Sequence, residues 1–225
     1  MPRCCLRGSV ANQHKKARIY VLAGVNGAGK STIGGAMFAE VGQEFFNPDV
    51  AAQELLSESP GISQEEANAW AWREGRRLLE VSIVTRQDFA FETTLGGNTI
   101  ARLLKQATRS GIEVRIWYVG LESVELHIER VRWRVARGGH DIPEAKIRER
   151  YDRSRWNLID LLSGLAELKV FDNTAESDPR AGHWPQPKLL LHWRRGKIVS
   201  SYDLAQMPEW AKPILQGAID LSERK

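Results

Sequence analysis

Residues 24–31 read Gly-Val-Asn-Gly-Ala-Gly-Lys-Ser, and a glycine followed by four residues and Gly-Lys-Ser suits one kind of chemistry. Small residues let successive backbone N–H groups converge on a point, and a helix starting there adds the positive end of its dipole, so the segment can hold phosphate. Gly24, Asn26, Gly27, Ala28 and Gly29 are expected to form the cradle. Lys30 would reach the β- and γ-phosphates, Ser31 would ligate Mg2+, and Thr32 would offer a hydroxyl to the α-phosphate. The ligands this implies are ATP or GTP with Mg2+.

A nucleotide site does not say what receives a phosphoryl group, so the next residues of interest are carboxylates at strand ends. Asp49 follows Asn47-Pro48 and could take the proton of an attacking hydroxyl; its other reading is an N-cap for the helix that follows. Glu92 runs into Thr93 and Thr94, which would set one carboxylate and two hydroxyls beside the loop for magnesium or substrate, or else shape a turn. No segment of four hydrophobic residues followed by Asp, of the ATPase type, was found, which argues against motors and GTPase switches.

Between Arg130 and Arg155, nine basic residues face four acidic ones. Arg130, Arg132, Arg134 and Arg137 lead into Gly138-Gly139-His140; Lys146, Arg150, Arg153 and Asn157 follow at spacings of four, three and four, one stripe of a helix. The stripe lies beside that helix's apolar face, where Arg150 and Arg153 can reach a cleft edge. Arginines around a glycine hinge suit a lid that neutralises a transferring phosphoryl group. His140 reads as a phosphate donor or a hinge residue. Asp172-Asn173 could face the adenine or form an ordinary turn.

The elements that must position these groups are legible as alternating strands and helices. β-rich runs at residues 18–23, 44–46, 88–92, 112–119 and 168–171 alternate with helix patterns at 32–38, 50–56, 63–86, 97–108, 124–136 and 143–162. Ser63 with Glu66 gives the third helix a capping box. Connections too long for hairpins predict an α/β fold, a parallel sheet with helices on both faces, whose ligands gather at the carboxyl ends of the strands; with the phosphate loop after its first strand, it reads as P-loop NTPase- or kinase-like. Beyond Asp178-Pro179 a β-hairpin around Arg195-Gly196 and a helix near residues 210–219 are expected. The predicted organisation is a loose extension over residues 1–16, a kinase core over 17–178 and a hairpin-and-helix appendage over 179–225.

Composition fits this picture and narrows it. Of 225 residues 42% are apolar and 27% charged, with a net charge of +4, the make-up of a folded globular chain. No long apolar run or apolar leader pattern is present, so the expectation is a cytoplasmic protein without a membrane partner. Adjacent Cys4 and Cys5 are poorly placed for a structural disulfide. The eight tryptophans are scattered, which reads as packing rather than as stacking platforms and argues against nucleic acid.

The phosphate loop, Asn47-Pro48-Asp49, Phe91-Glu92-Thr93-Thr94 and the run from Arg134 to Pro143 (Arg-Val-Ala-Arg-Gly-Gly-His-Asp-Ile-Pro) occur in that order. Together they resemble the zeta-toxin family of P-loop kinases over about residues 18–173. The loop alone is generic; the combination is specific. The resemblance implies ATP-dependent phosphorylation of a hydroxyl on a nucleotide sugar such as UDP-N-acetylglucosamine or a related nucleotide, often with a small antitoxin protein as partner. It implies Asp49 as base, Lys30 and Ser31 as ATP–magnesium contacts, Glu92 and Thr93 as substrate contacts, and Arg134 and Arg137 as a γ-phosphate clamp. The lid segment and the tail depart from the family pattern. Two other readings compete: a protective antibiotic or metabolite phosphotransferase, and a nucleotide-dependent module whose basic segment binds nucleic acid.

Overall fold

A computed structural model describes residues 16–42, 44–175 and 186–224; Cys4, Cys5 and residues 1–15 of the expected extension lie outside them. Six strands form one sheet: β1 (Arg18–Ala23), β2 (Phe89–Thr93), β3 (Glu113–Gly120), β4 (Glu167–Asp172), β5 (Lys188–Arg194) and β6 (Lys197–Ser201). Their order is β2-β1-β3-β4-β5-β6. β1 lies parallel to both β2 and β3, and β3 parallel to β4, while β5 and β6 are antiparallel additions. The chain leaves β1 and enters its neighbours on opposite sides, so the loop after β1 opens into the crevice where ligands bind in such sheets.

Two faces of the sheet are covered, as near-continuous apolar strands require. On one, Ile33 and Phe38 of α1 (Lys30–Glu40) pack with Tyr20, Leu22 and Trp117. On the other, α3 (Gln64–Thr85), α4 (Asn98–Arg109), α6 (Glu144–Leu161) and α7 (Lys212–Glu223) bury Leu79, Leu104, Leu158 and Ile214 against Val21, Ile116 and Val170. The remaining helices serve the crevice. α2 (Pro48–Glu58) meets α3 through Ala52, Ala67 and Ala71, whose small side chains allow close approach. α5 (Val124–Val135) joins α6 over Val25 of the phosphate loop through Ile128, Val131 and Ile147.

Several starts and stops follow from local chemistry. Ser63 and Glu66 make the reciprocal capping box at the head of α3. Arg195 and Gly196 both take positive φ, 47° and 82°, as a two-residue turn between β5 and β6 demands. The strand expected at residues 44–46 is shortened to one bridge, Phe46 to Phe91. Phe46 N–H donates to the Ala90 carbonyl, and Glu92 N–H to that of Phe46, each at 2.9 Å. The pairing then stops because Asn47 turns to cap α2 and Pro48 has no N–H to offer a ladder.

The C-terminal segment shares the main core. Leu190, Leu191, Trp193, Trp210, Ile214 and Leu215 cluster with β1, β3 and β4. Trp210 lies flat on Gly120, where a Cβ would come within 2.5 Å of its ring, and its indole N–H donates to Asp172 Oδ1 at 3.2 Å. Trp210→Ala should therefore lower the stability of the whole domain by about 3–5 kcal/mol, in the range of buried aromatic truncations. Denaturant unfolding should show one transition at a lower midpoint; a separate early transition of the tail would contradict this account.

Candidate active site

Three glycines give the phosphate loop its path: φ is 144° at Gly24, 85° at Gly27 and 84° at Gly29. At Gly24 a Cβ would stand 2.2 Å from the Val119 carbonyl oxygen, so the loop can leave β1 against β3 only without a side chain. Helix α1 begins at Lys30, directly after Gly29. Asn26, Gly27 and Ala28 complete the turn, closed by Ala28 N–H donating to the Val25 carbonyl at 3.1 Å. The side chain of Thr32 lies outside those described.

Two buried side chains that sequence reasoning did not assign to this task hold the loop from behind. Asn173 Nδ2 donates to the Ala28 carbonyl at 2.9 Å, so this residue supports the loop from behind. Its neighbour Asp172 accepts from Thr174 and Trp210. His127, 1% exposed, bonds through Nδ1 to the Asn26 carbonyl at 2.8 Å. A carbonyl only accepts, so Nδ1 carries the proton. Burial, aided by the nearby cations Lys30, Arg130 and Arg155, pushes the imidazole down to about 4 against the hydrogen bond that favours its charged form. A lone His on a helix carries no signal of such a role; its partner is 101 residues away.

Glu92 is the centre of the site. It is 6% exposed at the end of β2. Oε2 accepts from Ser31 Oγ at 3.3 Å and from Asn47 Nδ2 at 3.0 Å, and Oε1 lies 3.5 Å from Lys30 Nζ. Lys30 also donates to the Val25 carbonyl at 3.4 Å. The oxygen of the Asn47 amide accepts from the backbone of Asp49 and Val50. Asn47, not Asp49, is therefore the cap of α2, and the Asp49 carboxylate is left half-exposed on the first turn. Thr93 and Thr94 hydroxyls accept from Leu95 and Gly96 N–H at 3.1 and 3.4 Å, bending the strand end into the crevice wall.

The arginines divide. Arg134 Nη2 donates to the His140 carbonyl at 2.6 Å, and Nη1 stands 3.9 Å from Asp49 Oδ2. Gly139 lets it fold back, since a Cβ there would meet Arg134 Cγ at 2.5 Å. Arg137, expected beside it, instead lies 3.4 Å over the Trp133 ring and donates to the Trp133 carbonyl. At a spacing of four on the end of α5, that cation–π contact holds the guanidinium outside the cleft. Arg150 passes over Gly96 and donates to Asn26 Oδ1 at 2.8 Å; burial lowers its pKa, with Glu149 and Asp49 opposing. Arg153 is bonded to Glu149 on the same helix. His140 Nε2 accepts from Asn68 Nδ2 at 3.1 Å, tying the hinge to α3.

Two cavities, about 210 and 400 Å³, meet here. Ser31 and Arg134 line the smaller; Lys30, Glu92, Thr93, Thr94, Lys146, Arg150 and Arg153 line the larger. Asp49, Asn47, Asn68 and His140 line both, which puts the Asp49 carboxylate at the junction. For His127, the unfolded imidazole titrates near its ordinary 6.5 and the folded one near 4. The unfolded chain thus takes a proton first, and this group's contribution to stability is lost as pH falls between those values, by about 3 kcal/mol in all. His127→Gln should remove that component, read as the pH dependence of the difference in unfolding midpoint between wild type and variant.

No family model matches the chain. An uncharacterized protein of Haemophilus influenzae is 32% identical over 136 residues, which cover 60% of this chain and 92% of that protein. The crystal structure of AvrRxo1-ORF1:-ORF2 with ATP superposes with a TM-score of 0.61 at 15% identity; the match covers 90% of this chain and 64% of that one. A structure from the PezAT chromosomal toxin–antitoxin system of Streptococcus pneumoniae gives 0.51 at 14% identity, over 93% and 87% of the two chains. At such identities the likeness is one of fold, the α/β fold with a largely parallel sheet expected from the sequence.

Proposed function

The chain belongs to the family of the Haemophilus influenzae protein and has the P-loop kinase fold, and on that premise we propose that it is an ATP-dependent kinase. Its acceptor in this reading is a hydroxyl on a nucleotide sugar or related nucleotide. The observation that carries the proposal is the position of Asp49, which lines both the cavity bordered by Ser31 and Arg134 and the larger one bordered by Lys30, Thr93, Thr94, Arg150 and Arg153. Support for ATP as donor comes from the loop itself and from the ATP-bound neighbour.

In the proposed reaction the acceptor hydroxyl gives its proton to an Asp49 carboxylate oxygen as its oxygen attacks the γ-phosphorus. The bond from that phosphorus to the bridging oxygen breaks, and ADP leaves with the electron pair. Lys30 and Arg134 offset negative charge on the transferring group, a task that needs fixed donors more than covalent chemistry. Ser31 suits Mg2+: its hydroxyl lies 3.3 Å from the buried Glu92 carboxylate at the start of α1, and magnesium is commonly held by few protein oxygens plus phosphates and water. The ion would neutralise phosphate charge there. Glu92 keeps Lys30, Ser31 and Asn47 aligned. Neighbours from a toxin–antitoxin system extend the proposal to a small antitoxin protein as partner.

Labelled ATP incubated with nucleotide sugars, nucleotides and simple polyols should yield a labelled acceptor. Asp49→Asn should cut kcat by about 10²–10⁴, the usual weight of a positioned base, with binding of an ATP analogue retained. Acceptor-independent turnover that survives this substitution would sink the kinase reading. Arg134→Ala should cost about 10³-fold or more, as a charge-neutralising arginine does, and Arg137→Ala much less, since its guanidinium rests on Trp133.

A further inference from the structure

Trp117, Trp193 and Trp210 are buried, as tryptophans that serve packing should be. Trp72 is 46% exposed and lines the larger cavity. Helix α3 puts it there: Asn68, Trp72, Gly75 and Arg76 share one face by their spacing and all border that cavity. Gly75 sets the distance. A Cβ at this position would stand 2.7 Å from Phe46 Cε1, so only glycine lets the helix press this face toward the crevice. An indole left half in water forgoes part of its burial energy, and its flat apolar face with a polar edge suits a planar ligand.

The order of residues along α3 gives the site a direction. Asn68 borders both cavities, whereas Trp72 and Arg76 border only the larger. At 1.5 Å per residue, Trp72 lies about 6 Å and Arg76 about 12 Å beyond Asn68 along the helix axis. Asp49 therefore marks the reacting end and the indole stands away from it. Lys146, Arg150 and Arg153 of α6 line the same cavity. Arg76 has its Nε anchored on Glu80 at 2.8 Å.

We propose that Trp72 is the stacking platform for a planar nucleobase of the acceptor, the part that is not phosphorylated. The hydroxyl then lies toward Asp49, and anionic groups between the two meet the cations of α6. A base is assigned in preference to a sugar ring because its whole π-face can lie on the indole. The inference rests on the kinase reading above and names the residue that selects the acceptor.

The test is calorimetric titration of AMP, GMP, CMP, UMP and ribose 5-phosphate into protein saturated with a non-hydrolysable ATP analogue. At least one nucleotide should bind wild type about tenfold more tightly than ribose 5-phosphate, Trp72→Ala should erase that advantage, and Trp72→Phe should keep most of it. Affinity for the ATP analogue should be equal in all three, which also reports that the variants are folded. Equal nucleotide binding by wild type and Trp72→Ala overturns the inference. So does ribose 5-phosphate binding as tightly as every nucleotide, or analogue binding with no probe bound; the kinase reading survives each of these. A wild type that fails to bind the ATP analogue overturns both.

Discussion

A carboxylate with almost no access to water must be paired, and the pairing of Glu92 organises this protein. An isolated buried charge would cost several kcal/mol. Its partners come from two separate stretches: Lys30 and Ser31 from the loop, and Asn47 from the corner before α2. Satisfying one group therefore draws β2 beside β1, sets the first turn of α1 at the crevice and fixes the start of α2. The Asp49 carboxylate follows as a consequence. Asn47 spends its amide nitrogen on Glu92 and its amide oxygen on capping, which leaves the Asp49 carboxylate out of the cap and 3.9 Å from Arg134 Nη1.

The order of strands and helices was legible because period and punctuation agreed. The capping box at Ser63, the Arg195-Gly196 turn and the glycines of the loop are local signals, and local signals survive in a linear reading. Phe46 shows the limit. Its neighbourhood reads as a strand, but whether a strand grows depends on Pro48 and on the competing cap, so one bridge remains. Asp49 and Glu92 could be picked as strand-end carboxylates with separate tasks; the pairing of Glu92 with Asn47 and Ser31 could not, since those partners lie 45 and 61 residues away in the chain.

The basic segment was the least legible part, because an arginine's sequence position does not say which partner captures it. Arg132 and Arg148 are taken by Glu144, Arg155 by Asp152, and Arg153 by Glu149. Such exposed pairs add little stability, yet they hold four of the arginines of the stretch on carboxylates along α6. Trp133 captures Arg137 in the same way. The Lys146, Arg150 and Arg153 stripe does face the crevice, as its place beside the apolar face of α6 predicted.

The two halves of the site are mechanically joined at Asn26. Its carbonyl is held by His127 of α5 and its side-chain oxygen by Arg150 of α6. The path to Arg150 exists only because Gly96, in the wall of the larger cavity, has no side chain. The glycine-rich loop and the cavity wall at Gly96 thus share one arginine. A ligand that draws Arg150 toward its own anionic groups must compete with Asn26, and by linkage any factor by which a ligand at the loop changes affinity in the cavity is returned on its own affinity. The loop and the cavity wall are therefore one hydrogen-bonded unit, with buried His127 holding the Asn26 carbonyl from α5.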